Sequence, residues 1–184
     1  TDPCPPYRML AITFTNKAAG EIKNRLVTQF ADETLAKDIW SGTFHSVCMR
    51  ILRTYGDRVG FGKGFTIYDT DDSKSLIRLI LREMCLDEKV YKPTAVQNRI
   101  SAAKNRLVLP SAYNSVREFR ESDDMAKRTL MPEIYQRYQD RCKQANAMDF
   151  DDLLLLTLKL LQENEEVRTK YQDKFDYIMV DEYQ

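Results

Sequence analysis

Phe175-Asp-Tyr-Ile-Met-Val-Asp-Glu-Tyr-Gln184 is the last stretch of the sequence, and its reading decides the fold. Tyr177 to Val180 is an apolar run of strand formers that stops at two adjacent acids, Asp181 and Glu182. A short all-apolar run predicts a strand buried on both faces, as in parallel sheets. In open α/β sheets ligands lie beyond the carboxyl ends of such strands, so the two acids face a crevice and not bulk water. An acid there suits Mg²⁺ on the phosphates of a nucleoside triphosphate, and a neighbouring Glu suits orienting or deprotonating an attacking water. The alternative is that Asp181 and Glu182 simply begin a loop or cap a helix. The pattern by itself leaves both open, and the rest of the chain decides.

At 184 residues the chain can bury a real core, as one domain or two small ones. Hydrophobic content of 43% with charged content of 30% points to a soluble, globular, helix-rich protein. No apolar run approaches the roughly 20 residues that a membrane span needs. The start, Thr1-Asp-Pro-Cys-Pro-Pro6, lacks the basic and apolar regions of a signal peptide. Cys4, Cys48, Cys85 and Cys142 are far apart and form no CxxC. This argues against zinc and for reduced thiols in a cytoplasmic protein. Formal net charge is zero, so a polyanionic partner must be held by a local basic patch. The sequence lacks an initiator Met and stops just after a motif, which is expected of a piece of a longer protein.

In chain order, Pro5-Pro6 is extended and Tyr7 to Phe14 reads as a buried strand. Thr15 or Asn16 is the N-cap of a helix over 17–30, with Ala18, Ile22, Leu26 and Phe30 as its apolar stripe. The turn of this strand–turn–helix unit exposes backbone N–H groups that suit a phosphate, and Lys17 and Arg25 add charge. After a connection or short helix over 31–40, Ile39 to Thr43 is a brief strand, and Phe44-His45 opens a helix to about Arg58. Gly60-Phe-Gly-Lys-Gly64 has no strand before it and no Lys-Ser/Thr after it, so it is a plain loop and not a phosphate cradle. Helices are expected from the acidic start Asp69-Thr-Asp-Asp-Ser73 through Cys85, and over 95–107. Residues 111–123 read as irregular, and a long helix over 124–146 should kink or break at Pro132. Further helices are expected to Leu161 and over 167–175, before the closing strand. The whole is an α/β core interrupted by an all-α insertion.

Three segments carry a resemblance. Leu10-Ala-Ile-Thr-Phe-Thr-Asn-Lys-Ala-Ala-Gly-Glu-Ile-Lys-Asn-Arg25 looks like motif Ia of the UvrD/Rep-type superfamily 1 DNA helicases. Ser41-Gly-Thr-Phe-His-Ser-Val-Cys-Met-Arg-Ile-Leu-Arg53 resembles their motif Ib, and Val180-Asp-Glu-Tyr-Gln184 their motif II, the Walker B box. The stretches Phe65-Thr-Ile-Tyr-Asp69, Ile100-Ser-Ala-Ala-Lys-Asn105 and Met148-Asp-Phe-Asp-Asp-Leu153 are similar to parts of the helical subdomain 1B that the family inserts between motifs Ib and II. The fold implied is a partial RecA-like, P-loop NTPase type parallel sheet with a large all-α insertion. Residues 1–47 and 174–184 fall to domain 1A and residues 48–173 to 1B. The family's Walker A loop is absent, since no Gly-x-x-x-x-Gly-Lys-Ser/Thr occurs in the chain, and neither do motifs III to VI.

The resemblance assigns Asp181 to Mg²⁺, Glu182 to activation of the hydrolytic water, and Gln184 to coupling nucleotide state to DNA. It implies single-stranded DNA contact at Phe14, Thr15, Asn16 and Lys17, where an aromatic face offers stacking worth about 1–3 kcal/mol per base and polar groups grip phosphate. Core packing is the plain alternative for Phe14, and N-capping for Asn16. Thr43, Phe44 and His45 form the second DNA-facing turn, although a sole histidine is as easily a packed or capping residue. Lys104 and Arg106, with Asn105, would touch the DNA backbone from 1B; the alternative is a solvated helix end. Asp149, Asp151 and Asp152 resemble a metal cluster, but a helix N-cap with acids in the first turn accounts for them better.

The expectation is therefore a fragment of an ATP-dependent 3′-to-5′ DNA helicase or translocase acting on single strands and single-strand/duplex junctions, with no membrane contact. ATP and Mg²⁺ serve the intact parent, and neither is expected to bind tightly to the fragment, which lacks the cradle for ATPase activity. Two rivals stay open: a non-catalytic DNA-binding or protein-interaction module derived from a helicase, and the helicase subunit of a recombination nuclease complex.

Overall fold

The computed structural model describes residues 4–30 and 38–182, in two compact units. The first unit comprises residues up to Val59 and those from Leu156 onward, and the second runs from Gly60 to Leu155.

In the first unit, Leu10, Ala11, Ile12 and Thr13 are all buried, which makes β1 (Met9–Thr13) the central strand of a three-stranded parallel sheet. On one side it pairs with β2 (Trp40–Thr43), Thr13 opposite Thr43. On the other it pairs with β5 (Tyr177–Val180), Ile12 opposite Val180. Two crossovers carry helices, α1 (Asn16–Phe30) after β1 and α2 (Phe44–Tyr55) after β2. Val47, Ile51 and Leu52 give α2 its buried stripe.

The closing strand departs from expectation. It forms where the apolar run predicts and is parallel, but it is not buried: Tyr177, Ile178 and Met179 are 58%, 60% and 50% exposed. The reason is positional. Among the described residues β5 pairs on one edge only, and its alternate residues face two open grooves. Met179 faces one of about 420 Å³ lined by Ile22 and Leu26, and Ile178 one of about 500 Å³ lined by Val47, Leu161 and Phe175.

The second unit is helical. It contains α3 (Thr70–Glu83), α4 (Pro93–Asn105), α5 (Arg117–Met125) and α6 (Met131–Gln144), with β3 (Thr66–Ile67) and β4 (Ala147–Met148) paired parallel. Ile77, Ile80, Leu81, Val96, Ile100 and Ile134 form the centre of its core. Asp69 accepts from the backbone N–H groups of Asp71 and Asp72, and Asp72 reaches back to the Asp69 N–H, which closes a capping box at α3. Within α7 (Phe150–Glu163) the chain passes back into the first unit, where α8 (Glu165–Lys174) precedes β5.

The helix expected over 124–146 is two helices, and Pro132 sits in the first turn of the second, where its missing N–H costs nothing. The break lies at 126–130, with Lys127 at φ 55°. The residues expected to be irregular, 111–123, are ordered instead into a 3₁₀ turn (Pro110–Ser115) and most of α5. Tertiary contacts override the polar local sequence there. Phe119 stacks on Tyr113 with centroids 5.1 Å apart, and Asp123 accepts from Arg99 and from the Tyr113 hydroxyl at 2.6 Å. The Gly60–Gly64 segment is a loop, and its Gly62 N–H is already taken by the Asn146 side chain at 2.7 Å.

Candidate functional site

Three parallel strands must end on one edge of their sheet, and here each ends in residues singled out by the sequence. β2 ends at Thr43, β1 at Thr13 and β5 at Val180. With neighbouring strands about 4.8 Å apart, this edge spans roughly 10 Å. Both helices leaving it are capped by threonine. The Thr15 hydroxyl accepts from the Ala18 N–H at 3.1 Å, and the Thr43 hydroxyl accepts from the Ser46 N–H at 3.3 Å. Thr15, and not Asn16, therefore caps α1, and Asn16 is exposed in its first turn.

Phe14 is 65% exposed, which removes core packing as its explanation. Its ring lies 5.2 Å from that of Phe44, tilted by 55°. The pairing follows from register, because both phenylalanines directly succeed the paired threonines Thr13 and Thr43. Sequence reading named both rings but not their pairing. Lys17 is exposed beside them, and His45 is half-buried in the first turn of α2. A cation in the first turn of α1 opposes the helix dipole, so Lys17 contributes nothing there to helix stability.

At the third strand end, the Asp181 N–H donates to the Ile12 carbonyl at 2.9 Å and extends the ladder by one bond. Asp181 and Glu182 are both exposed. Glu182 adopts φ 56°, a left-handed conformation costing about 1–2 kcal/mol for a side chain of this kind, and its N–H donates to Asp181 Oδ1 at 3.1 Å. Asp181 and Arg25 line the same groove, an acid–base juxtaposition that the sequence reading did not make. The hard carboxylate oxygens at this edge fit Mg²⁺ in kind. Among the described residues no group of three or more His, Cys, Asp or Glu is gathered to hold a metal. Gln184 lies outside the described residues.

Lys104 is a correction. Its side chain is fully buried, with Nζ 2.7 Å from Asp149 Oδ2 and 2.8 Å from Asp152 Oδ1, so its charge is not offered to a phosphate. Its neighbours are occupied too: Arg106 pairs with Glu118 at 2.6 Å, and Asn105 donates to Ser101 and Asp151. Asp149 and Asp152 exchange backbone bonds at 2.9 and 3.2 Å, which is a capping box at the start of α7. The Tyr138 hydroxyl reaches both Ser73 at 3.0 Å and Asp149 at 2.9 Å. Burial works against the Lys104 charge, but Asp152 and Asp149 more than offset it and raise its pKa. Burial likewise opposes the Asp149 charge, yet Lys104 and the hydrogen bonds hold its carboxyl below the ordinary value. Burial pushes Asp152 up to about 6, since one ammonium compensates only one of two carboxylates.

A parallel sheet with capped turns and paired acids along its carboxyl edge, interrupted in sequence by a mostly helical insertion that carries one short strand pair, defines a partial RecA-like domain of the P-loop NTPase type. The model of the UvrD/REP helicase N-terminal domain matches residues 2–184, and the chain belongs to that family. It is 40% identical over 179 residues to the ATP-dependent DNA helicase PcrA of Leuconostoc citreum. It is 42% identical over 179 residues to the proteins of that name from Bacillus subtilis and Staphylococcus aureus. Each match covers 97% of this chain and 23% of the relative, so the chain spans about a quarter of the length of these relatives.

Proposed function

We propose that this chain is the motif Ia to motif II portion of an ATP-dependent DNA helicase that translocates 3′ to 5′ on cytoplasmic single-stranded DNA and opens duplex at junctions. The sheet-bearing unit then carries the incomplete 1A domain together with residues 48–59 and 156–173, which the sequence assigns to 1B, and the helical unit carries the rest of the 1B insertion. One observation carries the reading: the exposed Phe14 ring and the Phe44 ring, 5.2 Å apart, stand over two capped helix starts on the sheet edge that also presents Asp181. Aromatic faces at this edge take bases by stacking, while Lys17, Asn16 and the Thr15 hydroxyl take phosphates; Thr43, expected to touch DNA, is buried and instead caps α2 behind Phe44. His45, in the first turn of α2, lies within the same surface.

Asp181 would hold Mg²⁺, and Glu182 would orient the attacking water and accept its proton. Bound ATP with Mg²⁺ supplies the scissile phosphoanhydride and the charge neutralisation that its cleavage requires. Gln184 links that state to the DNA surface. The 184 residues contain no Gly-x-x-x-x-Gly-Lys-Ser/Thr, so turnover is assigned to the full-length protein and not to this chain alone.

DNA-stimulated ATP hydrolysis by the full-length protein tests the assignment. Glu182→Gln should lower turnover by about 10²- to 10⁴-fold. Phe14→Ala should weaken single-stranded DNA binding about 5- to 150-fold, the equivalent of one missing stack. Full turnover in the first variant removes Glu182 from its role, and normal binding and unwinding in the second removes the stacking platform.

A further inference from the structure

We propose that a second surface of the sheet-bearing unit, built from Arg50, Lys170 and Lys174 around Trp40, holds the backbone of single-stranded nucleic acid. Trp40 is the first residue of β2 and Thr43 the last, so this surface lies about 10 Å from the Phe14–Phe44 edge, at the amino end of the strands. It is separate from the surface proposed above, and takes from that reading only the identity of the polyanion.

The cations are held in place by rings. Arg50 Cζ stands 4.1 Å from the Trp40 ring centroid, and Lys174 Nζ stands 3.8 Å from it. Lys170 Nζ reaches the Tyr55 hydroxyl at 2.5 Å. Tyr171 meets both Trp40 and Tyr55 edge-on, with centroids 6.0 and 6.2 Å away, which ties the two cation sites together. Among the described residues none of these three cations has a carboxylate within 4.0 Å. Four other arginines are neutralised: Arg58 by Glu166, Arg99 by Asp123, Arg106 by Glu118 and Arg141 by Glu83. Lys170 and Lys174 are four residues apart on one helix, a spacing at which like charges repel. Burial, then Arg50 and Lys170, lower the Lys174 pKa. Folding thus concentrates uncompensated positive charge on fixed aromatic supports, an arrangement that a phosphate relieves.

The adjoining groove favours nucleic acid over an acidic peptide. It measures about 330 Å³ and is lined by Trp40, Val47 and Met49 beside Arg50. An apolar slot next to a guanidinium matches a flat base next to its phosphate. A carboxylate side chain has no part that would use the slot.

Trp40 is the only tryptophan in the chain, so its emission reports this surface directly. The 184-residue chain is titrated with single-stranded oligothymidylate, inorganic phosphate and polyglutamate. Oligothymidylate should change the Trp40 emission, and Arg50→Gln/Lys174→Gln should lower its affinity at least tenfold. The slope of log K against log salt should become shallower by about 1.4, or about 0.7 for each phosphate no longer neutralised. Phe14→Ala should leave the Trp40 response in place, so failure of the strand-end surface and failure of this one are read separately. An unchanged affinity and salt slope in the double variant overturns the proposal. So does an equal or stronger response to polyglutamate, which marks a protein partner, or a response to inorganic phosphate alone. If the double variant does not fold by circular dichroism, the exposed Lys170→Gln serves instead, with an expected decrease of about 0.7 in slope.

Discussion

Removing the Lys104 ammonium should unfold the helical unit more readily than any surface change, and in a pH-dependent way. Its Nζ lies within 2.8 Å of both Asp149 and Asp152, and Asp152 is as fully buried as Lys104 itself. Lys104→Met keeps the aliphatic stem and deletes only the charge, so the change in packing is minor and the cost is electrostatic. Breaking one side of a buried ion pair typically costs about 3–5 kcal/mol, a large part of a domain's total of about 5–15 kcal/mol. Two carboxylates left without their counter-charge must bind protons to stay buried, so the penalty is largest at about pH 8 and smaller at about pH 5. Urea unfolding followed by circular dichroism at both pH values measures this. Lys104→Met/Asp149→Asn/Asp152→Asn, which removes the whole charged set, should recover most of the stability, since replacing a buried ionic group entirely is often near neutral. A penalty below about 1 kcal/mol, or one that does not change between the two pH values, would refute the reasoning and imply that water reaches the cluster.

Three further outcomes follow from the same structure. Because burial holds the Asp152 carboxyl up near 6, above its ordinary value of 3.8, the folded chain takes up a proton there that the unfolded chain does not. This group's contribution to stability therefore falls as pH rises from about 4 to beyond 6, and Asp152→Asn should flatten that part of a thermal midpoint against pH profile. Thr43→Val deletes the hydroxyl that caps α2 and should cost about 1 kcal/mol in denaturant unfolding, with Thr15→Val expected to behave alike at α1. Ile12→Ala, buried at the central strand, should cost about 2–5 kcal/mol, whereas Ile178→Ser, exposed on the edge strand, should stay within about 0.5 kcal/mol.

The contrast between Ile12 and Ile178 marks how far the sequence could be read. Both sit in short apolar runs, and both runs form parallel strands of one sheet. Periodicity identifies a strand but not its neighbours, so it cannot tell a central strand from one with an open edge. The cap of α1 was legible because a Ser, Thr or Asn before a helical stripe has few other uses, although Thr15 and Asn16 were equally plausible until the Ala18 N–H chose between them; the Thr43 cap of α2 was not read. Lys104 was misplaced for the opposite reason. Lysine at a helix end is ordinarily solvated, and nothing local says that carboxylates 45 and 48 residues later will enclose it. The signal lay in two segments noticed for separate reasons: Ile100–Asn105 supplies the cation, and Met148–Leu153 supplies the acids. Aspartates that cap α7 have one oxygen committed to the backbone and another left over, and a buried lysine is what that remaining oxygen demands. The uncompensated cations around Trp40 have the converse logic. Arg50 on one helix and Lys174 on another look solvated in sequence, and only their convergence on one ring shows that the fold holds them together without an acid. In both places the informative quantity is the local balance of charge after folding, which a net charge of zero along the chain conceals.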